Sequence, residues 1–248
     1  ETPYVFSLIS DMANAIGAEI GVPAASPGVD DPSHDRMGPI DPRAVDAYAL
    51  GVSQFDRFTR DGIRIGIEQF QMAVAIEPKF ALAWGQLGAA YAMQGMFGYA
   101  PPRASKEKLR AASLKAVEAD DQVSIGHSGL GWARLYTGDF DSACKSFEEA
   151  LRLNPSAPYA LHGNADCLLF DGRVDESLAR LRELLTISPF SAIANLPLPY
   201  HLYVSRRFDE ALAAARDMQA RIPLASIHWL FASIYCQQGL FDQSLDQE

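Results

Sequence analysis

Cysteine is scarce in this chain: Cys144, Cys167 and Cys236 are the three among 248 residues, and they are widely spaced. An odd, unclustered set is neither a disulfide framework nor a zinc-ligand spacing, so three buried thiols acting as small apolar side chains are expected, in a reducing compartment. Basic charge is thin as well. Lys and Arg number 21 against 31 Asp and Glu, the formal charge is −10, and no Lys/Arg cluster interrupts the acidity. Such a chain repels phosphate backbones and anionic membrane surfaces, which excludes nucleic acid as a direct partner. No apolar run approaches the about 20 residues of a membrane-spanning helix, and no basic-then-apolar signal segment opens the chain. The histidines (His34, His127, His162, His201, His228) include no H-x3-H or H-E-x2-H pair and no accompanying carboxylate cluster, so no metal or other cofactor is expected. Disorder is not expected either, because 48% of the residues are apolar.

What the chain does have is a beat. Leu153-Asn154-Pro155, Ile187-Ser188-Pro189 and Arg221-Ile222-Pro223 lie 34 residues apart, and the same step back from Pro155 lands on Asp121. A period near 34 is the length of a helix–turn–helix unit that cannot bury its apolar face alone and must stack on copies of itself. The clearest unit contains Trp84, Leu87, Gly88 and Tyr91, which share one helical face. Gly88 lets a partner helix come close. Ala143, Phe147, Ala150 and Pro155 form a matching second helix, as do Gly66, Phe70, Ala73 and Pro78.

These residues resemble the tetratricopeptide repeat, whose first helix carries W-x2-L-G-x2-Y and whose second carries A-x3-F and then Pro. The resemblance implies an all-α superhelix of about five and a half helical hairpins, with units 41–78, 79–121, 122–155, 156–189, 190–223 and a truncated 224–248. The second unit is nine residues longer than the 34-residue period, with the excess expected between Gly95 and Ser105. Residues 1–40 are read as an amphipathic helix, Tyr4–Ile20, and a Pro/Gly-rich linker. Pro197 and Pro199 fall in a first helix, which must start late or bend. Ala47-Tyr48-Ala49-Leu50-Gly51 and Gly98-Tyr99-Ala100-Pro101-Pro102 further resemble the C-terminal repeat modules of multidomain bacterial signalling proteins that carry winged-helix, nucleotide-cyclase or Ser/Thr-kinase domains. The chain begins at Glu1 without Met and stops in a helical pattern, as expected of a piece of such a protein.

Catalytic motifs fail on inspection. Gly126-His127-Ser128-Gly129-Leu130-Gly131 lacks the fifth-position glycine of a nucleophile elbow and lies in a helical pattern. No catalytic residue is assigned. Function is expected instead on the concave side, which the family resemblance places at the second, fifth, ninth, twelfth and thirteenth positions of each unit. Those positions hold no Lys or Arg and are rich in aromatic rings. The expected partner-binding residues are Tyr48, Phe55, Trp132, Tyr136, Tyr159, His162, Asp166, Phe170, Tyr200, Tyr203 and Trp229. Rigid rings with polar tips are the composition of binding hot spots. The reading is a non-catalytic scaffold that binds a protein or peptide, its own Tyr4–Ile20 helix being one candidate, in the cytoplasm or, if a membrane anchor precedes it, the periplasm. The alternative is a sensor of a small apolar ligand that controls a fused effector domain.

Overall fold

A computed structural model describes residues 40–222 and 228–240, and every regular element among them is an α-helix. The expected Tyr4–Ile20 helix, nearly all of its linker and the end of the last unit lie outside the described residues. The helices come in pairs: α1 (Pro42–Phe55) with α2 (Arg60–Ile76), α3 (Ala81–Met96) with α4 (Pro102–Ala119), and α5 (Ser124–Leu135) with α6 (Phe140–Leu153). Then follow α7 (Pro158–Phe170), α8 (Val174–Ile187), the short α9 (Ala192–Asn195), α10 (Pro197–Val204), α11 (Phe208–Arg221) and α12 (His228–Gln237). They gather into two compact units, one ending at Gly163 and one beginning at Asn164, a division inside α7. Among the described residues no helix is long and apolar enough to cross a membrane.

Local chemistry sets the helix starts. The Asp41 carboxylate accepts from the Arg43 amide at 2.9 Å, with Pro42 in the first turn, and Thr59 Oγ1 accepts from the Gly62 amide at 3.0 Å. The second helices end at Ile76, Ala119, Leu153, Ile187 and Arg221, so the last four keep the 34-residue step. The extra length of the second unit does not form a long turn. It lengthens α3 to 16 and α4 to 18 residues and leaves a loop of only Phe97 to Pro101 between them. In that loop Tyr99 stacks on Phe97 at 5.8 Å, and the Arg60 guanidinium lies 5.6 Å from the Tyr99 ring centre, so the turn covers the start of α2.

In the first unit pair mates pack together, and each pair joins the next through α2 on α3 and α4 on α5. Phe55, Phe70, Phe80 and Phe147 are fully buried there. The rings fit because glycines face them: a β-carbon at Gly51 would lie 2.6 Å from Phe70, and one at Gly131 would lie 2.5 Å from Phe147. Trp84 donates its indole hydrogen to the Pro78 carbonyl at 2.9 Å, and the Tyr91 hydroxyl accepts from Gln71 at 2.9 Å. In the second unit α8 packs on α9 and α10, α10 on α11, and α11 on α12, around Leu178, Leu202, Met218, Leu230, Phe231 and Ile234.

The two prolines split their helix rather than delaying it. Pro197 and Pro199 have no amide hydrogen to return to the preceding turn, so the chain breaks after Asn195 and restarts with Pro197 in the first turn. Asn195, almost fully buried, ties down the first piece by donating from Nδ2 to the Pro189 and Ser191 carbonyls, both at 2.8 Å. Cysteine also departs from expectation. Cys236 is a free, exposed thiol rather than a buried one.

One backbone device closes the first helix in unit after unit. A residue with positive φ follows the helix, and its amide and the next reach back to carbonyls three and five residues earlier. Gly138 (φ +83) to Leu135 and Asp139 to Arg134 show it, at 3.1 Å each, and Gly98, Gly172 and Gly239 repeat it. In the fifth unit that place is taken by Arg206 (φ +62), which makes the same bonds without glycine's freedom. A side chain in this region costs about 1–2 kcal/mol. Arg206→Gly is therefore expected to raise stability by about 1 kcal/mol, after glycine's own entropic cost, read as a higher urea midpoint at unchanged slope.

Candidate functional site

Each unit carries its own share of the expected binding residues. In the first unit two of them belong to the core. Phe55 is 1% exposed and packs 5.5 Å from Phe58, while Tyr48 is 5% exposed with its ring 5.0 Å from Phe80. No partner reaches the Phe55 ring, and the expectation that it lines a binding face is corrected: a large ring at the end of α1 is drawn under α2, where it meets Phe70 edge-on at 6.3 Å.

The other four rings come together on α5 and α7. Trp132 donates its indole hydrogen to the Tyr159 carbonyl at 3.2 Å and lies 4.8 Å from His162 and 5.9 Å from Tyr136, ring centre to ring centre. All four residues are half-buried. Phe147 supports Trp132 from below, edge-on at 5.5 Å. Lys106 crosses to Tyr136, with its ammonium 5.4 Å from the ring centre and 3.3 Å from the backbone carbonyl.

Asp56, at the end of α1, joins this cluster electrostatically. Its side chain reaches solvent, yet protein crowds it enough that burial pushes its carboxyl up to about 6. No cationic side chain offsets that, its sequence neighbour Arg57 included. The Tyr159 phenol is pushed well above its ordinary value, first by burial and then by Asp56 and Tyr48. Asp56 occupies the thirteenth position of its unit, so the repeat register pointed to it; an emphasis on rings passed it over.

The second unit holds a polar knot that the histidine spacing did not foretell. His201 is wholly buried; its Nε2 is 2.8 Å from Asp166 Oδ1 and its Nδ1 is 2.8 Å from Ser177 Oγ. Ser177, also wholly buried, donates to the Ala165 carbonyl at 2.8 Å. Ser177 Oγ has a single proton and gives it to the Ala165 carbonyl, so the hydrogen in the Nδ1 contact comes from the imidazole, with Ser177 Oγ accepting. The expectation that no carboxylate accompanies a histidine is thus corrected. The two residues lie 35 apart, one repeat plus one, a spacing that only stacking brings together. An Asp–His–Ser order suggests hydrolysis, but neither Ser177 nor His201 touches solvent, and no substrate carbonyl reaches Oγ. The knot clamps α7, α8 and α10.

Three of the expected binding rings in the second unit are exposed. Phe170 is 60% exposed, Trp229 53% and Tyr200 43%, with Tyr200 and Trp229 edge to face at 6.2 Å. Tyr203, expected beside them, is half-buried and packs 6.0 Å from Phe208 against the core.

Two expectations follow. His201→Ala removes the partner of two buried polar groups and is expected to cost about 2–4 kcal/mol, read by urea denaturation, with Ser177→Ala costing less. Asp56 binds its proton more tightly in the folded chain than unfolded, where the ordinary value is 3.8, so its contribution to stability is present at low pH and lost as pH rises to about 6. Asp56→Asn is expected to flatten that part of the stability–pH curve, measured as urea midpoints from about pH 4 to 7.

Residues 129–192 match the family model for the tetratricopeptide repeat. No curated protein matches the sequence. Among solved structures, the chain is similar to PilW, a widely conserved type IV pilus biogenesis factor, at 16% identity and a TM-score of 0.57, covering 82% of this chain and 90% of that one. The Cut9–Hcn1 tetramer of APC/C is similar at 16% identity and a TM-score of 0.62, this chain spanning 40% of that one. TTC0263, a thermophilic repeat protein of Thermus thermophilus, is similar at 15% identity and a TM-score of 0.54, covering 64% of this chain and 87% of that one. At such identities the likeness speaks for the fold, which is the helical-hairpin array of tetratricopeptide repeat proteins, and residues 129–192 carry the match to that family's model.

Proposed function

We propose that the chain is a non-catalytic interaction module that holds a segment of a protein partner against the open rings of its first helices, within a larger bacterial signalling protein. The observation that carries this reading is the exposure of Phe170, Tyr200 and Trp229, which leave about half of their surface in water. Large rings left open cost solvation that a partner recovers on binding. Trp132, Tyr136 and His162 gather as a second, half-buried ring group in the first unit. Rings this open suit a segment laid across them better than a small molecule enclosed by them. The knot around His201 supports the reading by being sealed: it stiffens the scaffold and offers no reacting atom.

The chain's own segment Tyr4–Ile20 is a candidate occupant of one ring face, because tethering gives it a high effective concentration.

Trp229→Ala, Tyr200→Ala and Trp132→Ala are each expected to weaken partner capture about tenfold or more in pulldowns, as buried aromatic anchors do. Capture unchanged in all three variants rejects the ring faces as the binding surface. Deleting residues 1–20 is expected to increase the binding of an apolar dye if that segment covers one of them; unchanged dye binding removes the segment as an occupant.

A further inference from the structure

Among the described residues, four of the five second helices open with acids: Asp61 in α2, Asp141 in α6, Asp175 and Glu176 in α8, Asp209 and Glu210 in α11. Each sits where the helix dipole favours negative charge. The first turn of α4 has no acid and carries Arg103, a placement the dipole opposes. The rest of α4 keeps that sign: five cations stand against two acids, Glu107 and Glu118, and all seven residues are exposed. No uninterrupted basic run marks this in the sequence; the helix assembles it. Arg103, Lys106 and Arg110 stand at i, i+3 and i+7, one above the other on a single face.

Cations on other second helices are answered by carboxylates. Arg152 pairs with Glu149, Arg173 with Glu176 and Arg207 with Glu210, each at 2.7 Å. On α4, Arg103 has Glu107 at 3.3 Å with both side chains largely in water, a pair worth little. Among the described residues Lys106 and Arg110 meet no carboxylate. Lys106 is held by a ring instead. Its ammonium lies 5.4 Å from the Tyr136 ring centre and 3.3 Å from the Tyr136 carbonyl, at the end of α5. A ring and a carbonyl fix an ammonium without cancelling its charge, so it stays open to an anion. Tyr136 in turn lies 5.9 Å from Trp132, so the basic stripe and the ring group meet at Lys106 and Tyr136.

We propose that Arg103, Lys106 and Arg110 form a recognition stripe for an acidic segment of the bound partner. Its Asp and Glu side chains flank the apolar residue set against Trp132 and Tyr136. This deepens the proposed function and rests on it: the rings supply contact area, and the stripe selects the sequence that lies beside it. The chain as a whole carries a charge of −10, so an acidic segment is repelled elsewhere and drawn to α4, which fixes its register.

The test uses the full chain and three peptides with blocked ends: two leucines followed by four glutamates, four glutamines or four lysines. Only side chains then carry charge. Binding is followed by NMR on the Trp132 indole resonance. The glutamate peptide is expected to bind about tenfold more tightly than the glutamine peptide at low salt, with the gap closing in about 0.5 M salt and the lysine peptide weakest. Arg103→Gln, Lys106→Gln and Arg110→Gln combined, all at exposed positions, are expected to abolish the preference for glutamate while glutamine-peptide binding is unchanged. Arg64→Gln, Arg152→Gln and Arg180→Gln combined remove the same charge from other second helices and are expected to keep it. Equal binding of the glutamate and glutamine peptides overturns the stripe, as does a preference that survives in the α4 variant or is lost equally in the control. An oligothymidylate of about twelve nucleotides that binds more tightly than the glutamate peptide overturns it in favour of nucleic acid. The ring reading falls separately, through capture by the Trp132, Tyr200 and Trp229 variants, so either can fail without the other.

Discussion

Two helices of a hairpin can approach only where one of them gives up its side chains, and in the first unit that place is set by phenyl rings. Phe147 lies against Gly131, where a β-carbon would be 2.5 Å away, and closer still to Gly163 of the following helix. No side chain fits at either glycine without moving the ring, and a ring locked between two backbones has nowhere to go. The packing of α5 on α6 therefore follows from three residues. The register carries on in a changed form. Ala165 precedes Leu181, and Pro199 precedes Ala215, by the same sixteen residues that separate Gly131 from Phe147, with Ala165, Leu181 and Ala215 wholly buried. As the first member grows the second shrinks, so the repeat conserves volume more than identity.

That trade shapes the surfaces. Where the second helix brings a phenylalanine, as at Phe70 and Phe147, neighbouring rings are drawn inward: Phe55 goes fully under, and Trp132 is held by one face. Around Ala215 the core takes in Phe231 and Tyr235 from α12, while Tyr200 and Trp229 remain outside.

The repeat, its period and the hairpin limits were legible in the sequence because each rests on short-range chemistry: a proline after the second helix, a glycine in the turn, apolar residues at helical spacing. Trp132, Tyr136 and Tyr159 were legible for the same reason, as regular positions of a regular unit. Phe55 was misread because one register position fits either the interior or a face, and only the length of α1 and the bulk of Phe70 decide between them. The His201 knot was out of reach: Asp166, Ser177 and His201 sit on three helices, and no spacing rule for local motifs joins them. The nine extra residues were counted correctly and misplaced, since a sequence marks added length but not whether helices absorb it.

Cys236, one residue before the end of α12, is a free, exposed thiol two helical turns past Trp229. It offers a nucleophilic sulfur to an alkylating fluorophore or spin label without mutagenesis. A tag there would sit on the helix that presents the most open indole, ready to sense quenching or slowed rotation by anything that settles nearby.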